Sequence, residues 1–308
     1  MEKVKPYLKI QGWQVINMSK FDDYNFSGGK GTRENPYLIA NAQELYNMRY
    51  YLNKSFKQIA NIDLSGFIIG SGWKPIGYKQ EKFSGLYDGN NYSISNLNID
   101  SPESQDLGLF GAISEYSRIK NVKLEKIKIT GNSYTGGLVG WNEGELLNCT
   151  VQGLIKADKD VGGLVGSNLN VIMKSRSRVD IYGQETVGGL VGGNTGIIIG
   201  TYSKGDIKGD KFVGGLAGGN DGTISRSFSE SNISGQEFVG GLIGGNLGMI
   251  TYSYSIGKVD GNVHVGGFAG VNEGQILNCY YSKEASGQSD TGKGIPASNA
   301  EMLLKDKS

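Results

Sequence analysis

The sequence predicts an all-β chain: a parallel β-helix (β-solenoid) of about 26-residue coils, with a short N-terminal capping helix and a C-terminal cap. Three observations predict it. The stretch Thr135–Gly140, Thr-Gly-Gly-Leu-Val-Gly, returns as Val161–Gly166, Val187–Gly192, Val213–Gly218, Val239–Gly244 and Val265–Gly270. Its central residues, Leu138, Leu164, Leu190, Leu216, Leu242 and Phe268, are 26 apart five times over, with no insertion or deletion. A fixed period of this size marks a solenoid or array. Between copies the segments are short, β-branched and bounded by glycine, which favours strands over helices. A leucine-rich repeat needs a Leu-x-x-Leu-x-Leu run, which is absent.

Residues 1–56 read as a lead-in and capping helix. The lead-in carries Trp13, Phe21, Tyr24 and Phe26, and Ser27–Gly31 is a loop. Asn41 followed by Glu44 has N-cap character, and Leu45, Met48, Tyr51 and Leu52 fall at helical spacing. The expected helix runs from about Ala42 to Asn53 and covers the open sheet edge at the end of the solenoid. Residues 57–132 read as degenerate coils. Short strands are expected in Ile59–Ile69 and Trp73–Gly77, and Ile94, Leu97 and Ile99 alternate imperfectly. Leu107–Gly111 is a first, atypical copy of the motif, 29 residues before Leu138.

Residues 133–283 form the regular repeats, each expected to fold as roughly three short strands. Apolar columns recur. Leu146, Ile172, Ile198, Ile224, Ile250 and Ile276 form one; Ile155, Ile181, Ile207, Ile233, Val259 and Ala285 another; Val161, Val187, Val213, Val239 and Val265 a third. These are expected to stack in the lumen at strand spacing, about 4.8 Å per coil. Asn142, Asn168, Asn194, Asn220, Asn246 and Asn272 form a structural ladder whose amides can bond along the axis. The Asn-x-Gly spacing suggests a turn ending at φ > 0. Cys149 and Cys279 share one column five coils apart, about 24 Å at strand spacing, so no disulfide joins them. The column Tyr202, Phe228, Tyr254 and Tyr280, which also holds Thr150 and Arg176, is expected to point inward, with an outward ladder as the rival. Residues 284–308 read as a C-terminal cap or linker, with a capping-box spacing at Ser298 and Glu301 before Met302, Leu303 and Leu304.

Composition narrows the function. The 308 residues hold 50 glycines without a three-residue period, which excludes collagen. Lys and Arg number 31 against 30 Asp and Glu, with no basic stripe, so nucleic acid is not an expected partner. The single histidine, His264, excludes a zinc site built on two or three histidines and a HExxH centre. No cofactor is expected. The start, Met1–Pro6, has no apolar signal core, and no apolar run is long enough to span a bilayer. The chain is thus either an excised region of an exported protein or a complete non-exported one.

The Gly-Gly pairs lack the Gly-Lys-Ser/Thr ending of a phosphate loop. Asp158, Asp160, Asp180, Glu185, Asp206, Asp210 and Glu237 are scattered through turns, and repeated calcium-binding aspartates are absent. The variable column Tyr134, Asp160, Thr186, Phe212, Phe238 and His264 is expected to face solvent. Within it Phe212, Phe238 and His264 are the candidate binding residues, consecutive aromatics that could stack on sugar rings or dock a partner.

The recurrent Gly-Leu-Val-Gly core resembles the GLUG motif of large bacterial surface proteins, among them adhesin-like proteins and non-catalytic regions of immunoglobulin A peptidases. Gly31–Tyr37, Asn61–Gly66, Trp73–Gly77, Tyr87–Asn90, Asn278–Tyr281 and Ser286–Gln288 extend the resemblance over nearly the whole chain. The resemblance implies a β-solenoid in an extracellular or cell-surface setting and carries no catalytic residues. The expected function is a non-enzymatic rigid stalk or adhesive scaffold for a host or cell-surface glycan or protein, without membrane insertion. The alternatives are a carbohydrate-active lyase or hydrolase and a phage or fibre component.

Overall fold

A computed structural model describes residues 25–66, 70–291, 293–298 and 301. Trp13, Phe21, Tyr24, Met302, Leu303 and Leu304, named above, lie outside the described residues.

One coil shows the plan. Ser133–Gly136, Val139–Asn142, Glu145–Leu147 and Thr150–Lys156 are strands on successive faces, here called first to fourth. Each pairs in parallel with its counterpart in the next coil: Thr135 with Val161, Val139 with Val165, Leu146 with Ile172 and Ile155 with Ile181. A coil therefore has four strands rather than three. The bend at Gly137 and Leu138 splits the glycine-rich motif between two faces, a division that a run of small and apolar residues does not reveal.

The motif glycines are dictated by close backbone approach. A Cβ on Gly162 would lie 2.1 Å from the carbonyl oxygen of Val165, and one on Gly166 would lie 2.5 Å from the Tyr134 carbonyl carbon of the preceding coil. The Asn-x-Gly glycines obey the same rule. Gly144, Gly196, Gly222, Gly248 and Gly274 do not have positive φ, contrary to expectation. A Cβ on Gly196 would meet the Asn170 oxygen of the coil below at 2.1 Å. Left-handed backbone sits instead at two other columns. One is the corner before the fourth face: Asn148, Lys174, Gly200, Arg226, Tyr252 and Asn278.

Inside, the central Leu/Phe column is fully buried from Leu138 to Phe268, as are Leu146 to Ile250 and Val161 to Val239. Ile276 and Val265, on the last coil, are only partly buried. Ile155, Ile181, Ile207, Ile233 and Val259 continue the pattern, but Ala285 does not. It falls in the short helix α2, Lys283–Ser286, because the Ser282 hydroxyl caps the Ala285 N–H and turns the chain out of the period. Asn142 donates to Asn168 at 2.6 Å, and Asn168, Asn194, Asn220 and Asn246 each donate to the next Asn at 2.7 Å. All but the terminal Asn272 are buried. Buried amides of this kind must be bonded or they cost stability.

The two ends differ from the repeats. Helix α1 spans Ala42–Asn47 and passes into a 3-10 turn, Met48–Tyr50, so it is shorter than expected. Asn41 caps the Glu44 N–H, while the Glu44 carboxylate accepts from Ala40 N at 2.7 Å and from the Ser27 hydroxyl at 2.8 Å. Leu45 and Met48 are fully buried, so the helix fills core volume. The free edge of the first rung, Tyr37–Ile39, is covered by the 27–28 loop rather than the helix. Ser27 N donates to Leu38 O, and Leu38 N donates to Gly28 O. Within Ile59–Ile69 the described strand is only Ile62–Asp63, and Trp73–Gly77 holds a single isolated bridge, Ile76 to Phe110, instead of a strand. Gly72 and Gly77 have positive φ, and Pro75 lacks an N–H, so regular pairing breaks there. At the far end Ile295–Ala297 pairs with Tyr280–Ser282, and the Tyr281 hydroxyl donates to Asp290 O at 2.6 Å.

Candidate functional site: the outward ring column

The second left-handed column is the one that carries the candidate residues. Tyr134, Asp160, Thr186, Phe212, Phe238 and His264 all have φ between 51° and 57°. Strand pairing on the first face skips them, passing from Lys159 and Glu185 directly to Val161 and Val187. The glycines of the following coil make room for the kink. A Cβ on Gly244 would lie 2.5 Å from the Phe212 carbonyl carbon, and one on Gly270 would lie 2.4 Å from that of Phe238. The column belongs to the motif's architecture even though its side chains vary freely.

The kink aligns the rings. Phe212 and Phe238 stack at 4.7 Å between centroids with a 10° interplanar angle, and Phe238 and His264 at 4.9 Å with 3°. The two phenylalanines are half-buried and His264 is exposed. Parallel stacking consumes the ring faces, so the column shows solvent a ridge of ring edges. A sugar needs an open face, and the inner faces offer none. Of the two expected uses, sugar stacking and partner docking, this geometry leaves ring edges and the outer faces at the ends of the stack for contact. Lys211 lies 5.5 Å over both phenylalanine rings and 3.5 Å from Glu237. Lys159 pairs with Glu185 at 3.3 Å in the same column, so charge alternates beside the ridge.

The column also extends further toward the N-terminus than the period shows. Asp106 has φ 55° and bonds through its N–H to Ser133 O, the same geometry 28 residues before Tyr134. Its carboxylate lies 3.3 Å from Lys79, whose ammonium sits 3.8 Å from the Tyr134 ring centre and 4.0 Å from that of Trp141. Burial pushes the Asp106 carboxyl above its ordinary range, with Lys79 opposing. The atypical motif copy Leu107–Gly111 was the available signal, but the altered spacing hid the residue.

The fourth face carries a second outward ladder. Tyr202, Phe228, Tyr254 and Tyr280 are half-buried, while Ser203, Ser229, Ser255 and Tyr281 next to them are buried. Tyr202 and Phe228 lie 4.7 Å apart, and Phe228 and Tyr254 4.8 Å. The expected inward stack is therefore wrong. The left-handed corner resets the alternation, and Arg176 in the same column could not be buried unpaired. Burial, then the hydrogen bond to Glu230, pushes the Tyr202 phenol up to about 12.

The acids do not converge. Asp158 accepts from Gln184, Asp180 from the Asp206 N–H, and Asp206 from Asn232, each across one coil. Glu185 and Glu237 are in the ion pairs above. Asp210 is exposed. Among the described residues no three His, Cys, Asp or Glu are placed to hold a metal ion, and no helix is long and apolar enough to cross a membrane. Cys149 and Cys279 are free and buried. Burial pushes their thiols up to about 12 and about 11, away from the reactive thiolate. The sequence missed one concavity, a cleft of about 700 Å³ in the irregular coils, lined by Arg49, Tyr50, Lys74, Tyr78 and Glu81. Arg49 spends its donors on the Tyr46 and Lys74 carbonyls there.

These coils can now be set beside known proteins. Residues 131–156, one full coil with its glycine motif, match the family model of the GLUG motif. The chain carries a GLUG motif. A stretch of 143 residues, 44% of this chain, is 36% identical to a "Putative Gly-rich membrane protein" of Evansella cellulosilytica, of which it covers 17%. A stretch of 144 residues, 43% of the chain, is 35% identical to "Halomucin" of Haloquadratum walsbyi, of which it covers 2%. The chain thus spans only a small part of either relative. The fold is similar to the crystal structure of a "putative immunoglobulin A1 protease" from Bacteroides ovatus. The TM-score is 0.67, with 21% identity over 91% of this chain and 89% of that one. This likeness shows the GLUG coils in a solenoid and nothing of activity.

Proposed function

We propose that the chain is a non-catalytic, rigid β-solenoid segment of a bacterial surface or secreted protein, acting as a stalk that presents side chains at rung spacing. The observation that carries this reading is the unbroken register. From Leu146 to Ile276 the third-face strands pair one to the next without a slip, and the Asn ladder runs beside them. A continuous parallel sheet closed around a packed lumen resists bending more than a chain of separate domains. The names of the two relatives support the surface setting. The dispersal of the acids into axial hydrogen bonds and ion pairs supports the absence of turnover. Incubation with neutral and acidic polysaccharides should release no new reducing ends and no unsaturated product. Turnover that Asp160→Asn abolishes would overturn the reading.

A second reading, adhesion, is favoured by the half-exposed ridge at Phe212, Phe238 and His264. Several weak contacts in register would supply its affinity for a glycan or protein. A Phe212→Ala/Phe238→Ala variant should then lose binding on a glycan or host-protein array, and retention of all binding removes the ridge as the contact.

A further inference from the structure

The linear sequence shows no basic stripe, but the register builds one. On the fourth face, Lys123, Lys126 and Lys128 project from one rung, and Lys156 projects from the next. Arg176 and Arg178 follow on the third rung, with Lys204 and Lys208 on the fourth. All eight are exposed. The rungs are axial neighbours: Lys123 pairs with Thr150, Thr150 with Arg176, and Arg176 with Tyr202. At the other margin Lys156 pairs with Tyr182, and Tyr182 with Lys208. The same four rungs present three acids, Glu125, Asp180 and Asp206. Two of these are engaged within the face: Asp180 accepts from the Asp206 N–H at 3.0 Å, and Asp206 from Asn232 at 3.0 Å. Among the described residues only Lys204 of the eight cations forms an ion pair, with Glu230 at 3.1 Å. The chain as a whole has a formal net charge of only +1, so this face holds a concentrated excess.

The face is also broad. Its three longest strands have 8, 7 and 7 residues. Seven residues span roughly 23 Å and four rungs roughly 14 Å at ordinary strand dimensions. We propose that this face binds a linear anionic polysaccharide, carboxylated or sulfated, laid across the rungs. An extended polyanion meets several unpaired cations at once, and the release of its counterions drives association.

Two other polyanions fit the geometry less well. Single-stranded nucleic acid is held by stacking bases on open aromatic faces. Here Lys156 and Lys208 lie over the Tyr182 ring at 5.6 and 5.4 Å, and the Tyr202 ring packs on Phe228. Duplex grooves admit a helix or a two-stranded ribbon, and these rungs are strands of one continuous sheet. An anionic membrane surface calls for apolar residues that enter the interface, and Tyr182 is the one large exposed hydrophobic on these rungs. The surface is separate from the ring ridge and from any question of turnover, so it stands or falls independently of both.

The test uses the whole chain and affinity electrophoresis or calorimetry against polygalacturonate, dextran sulfate and neutral dextran, at low and raised salt. Binding to the two acidic polymers and not to neutral dextran is expected, weakening steeply with salt. Lys123→Gln/Lys128→Gln/Lys156→Gln/Arg176→Gln should weaken it by about tenfold or more, since several contacts act in register. A control of equal charge change elsewhere, Lys30→Gln/Arg33→Gln/Lys74→Gln/Lys283→Gln, should stay within about twofold. An unchanged thermal midpoint would show that the face variant still folds. Equal loss in both variants, no binding to either acidic polymer, or tighter binding to single-stranded DNA or to phosphatidylserine vesicles would each overturn the proposal.

Discussion

Along the third face, the irregular coils step from Tyr37 to Phe56, from Phe56 to Tyr87 and from Tyr87 to Ile119, which is 19, 31 and 32 residues per rung. From Leu146 onward every step is 26. The lumen differs accordingly. The variable coils are filled by rings: Phe56 and Phe83 lie 6.2 Å apart, Phe83 and Phe110 5.1 Å, and Tyr87 and Phe110 5.7 Å. The regular coils stack leucine, isoleucine, valine and asparagine. Loops of changing length leave a lumen of changing width, and large rings at varied tilt can fill it. A constant coil repeats one cross-section, so small identical residues fit at every level and glycines let the backbones close to contact. Glycines close the backbones in both halves, Gly85 against the Lys54 oxygen among them, but only the irregular half adds large rings to fill a changing width.

That contrast can be broken most severely at the glycines. Gly188→Val puts a branched side chain where a Cβ would already lie 2.0 Å from the Val191 carbonyl oxygen. The loss should exceed the roughly 1–3 kcal/mol typical of overpacking, enough to prevent folding of a marginally stable chain. Gly193→Ala in the same coil, whose Cβ would meet only the Asp160 carboxylate at 3.5 Å, should express and melt like wild type. Comparable loss in both, by circular dichroism and urea melts, would mean that backbone contact is not what the motif protects. The next effect belongs to the irregular half. Phe83→Ala should cost about 3–5 kcal/mol, whereas Ile198→Val in the regular lumen should cost about 0.5–1.5. Similar losses would remove the distinction between ring-filled and aliphatic coils.

The Asn ladder is the regular half's own device. Asn194 accepts from Asn168 and donates to Asn220 and to Gly196 O. Replacing it by alanine orphans buried partners on both sides, at roughly 1–3 kcal/mol for each group left unsatisfied. Asn272 is half-buried and ends the ladder, so Asn272→Ala should cost less than half as much in urea titrations. Equal costs would show that axial bonding adds nothing to each local turn.

How much of this was legible depends on what a period can carry. Equal spacing makes residues 26 apart axial neighbours, so the lumen columns, the separated cysteines and the Asn column follow from counting. It does not say which way a column points after a corner. The Tyr202 column was misjudged because Lys174, Gly200 and Arg226 take left-handed backbone and reset the alternation. Nor does it show that Phe212 and Phe238 would turn their faces to each other, since that goes with a left-handed kink that Gly244 and Gly270 accommodate one coil later. The basic face escaped notice because its charges come from strands some 26 residues apart and are never a run in the sequence. Where the period fails, between Tyr37 and Ile119, strand positions were the least legible, because aromatic packing rather than repeat length decides them.

The smallest expected effect separates the two halves by sign. Burial pushes the Asp88 carboxyl up, but hydrogen bonds from Asn121 and Asn90 and the Lys120 ammonium outweigh it, so its folded pKa is lowered. The stability it contributes is present above the unfolded value of about 3.8 and is lost as pH falls through the folded one. Asp160 is the reverse. Burial dominates, with Lys159 and Lys79 opposing and Glu185 assisting, so its folded pKa is raised. Its contribution is present only below the unfolded value and is lost as pH rises through the folded one, leaving the carboxylate a slight liability at neutral pH. Asp88→Asn should therefore lower the unfolding free energy from urea titration at pH 7, and Asp160→Asn should raise it, by a few tenths of a kcal/mol after solvent screening. The Asp160 difference should shrink as the pH drops toward 3.8, where its native carboxyl is already largely protonated, and the Asp88 difference only further down, as the pH falls through its lowered folded value. Shifts of the same sign at pH 7 would mean that the hydrogen bonds to Asp88 do not distinguish it from a carboxylate that is merely half-buried.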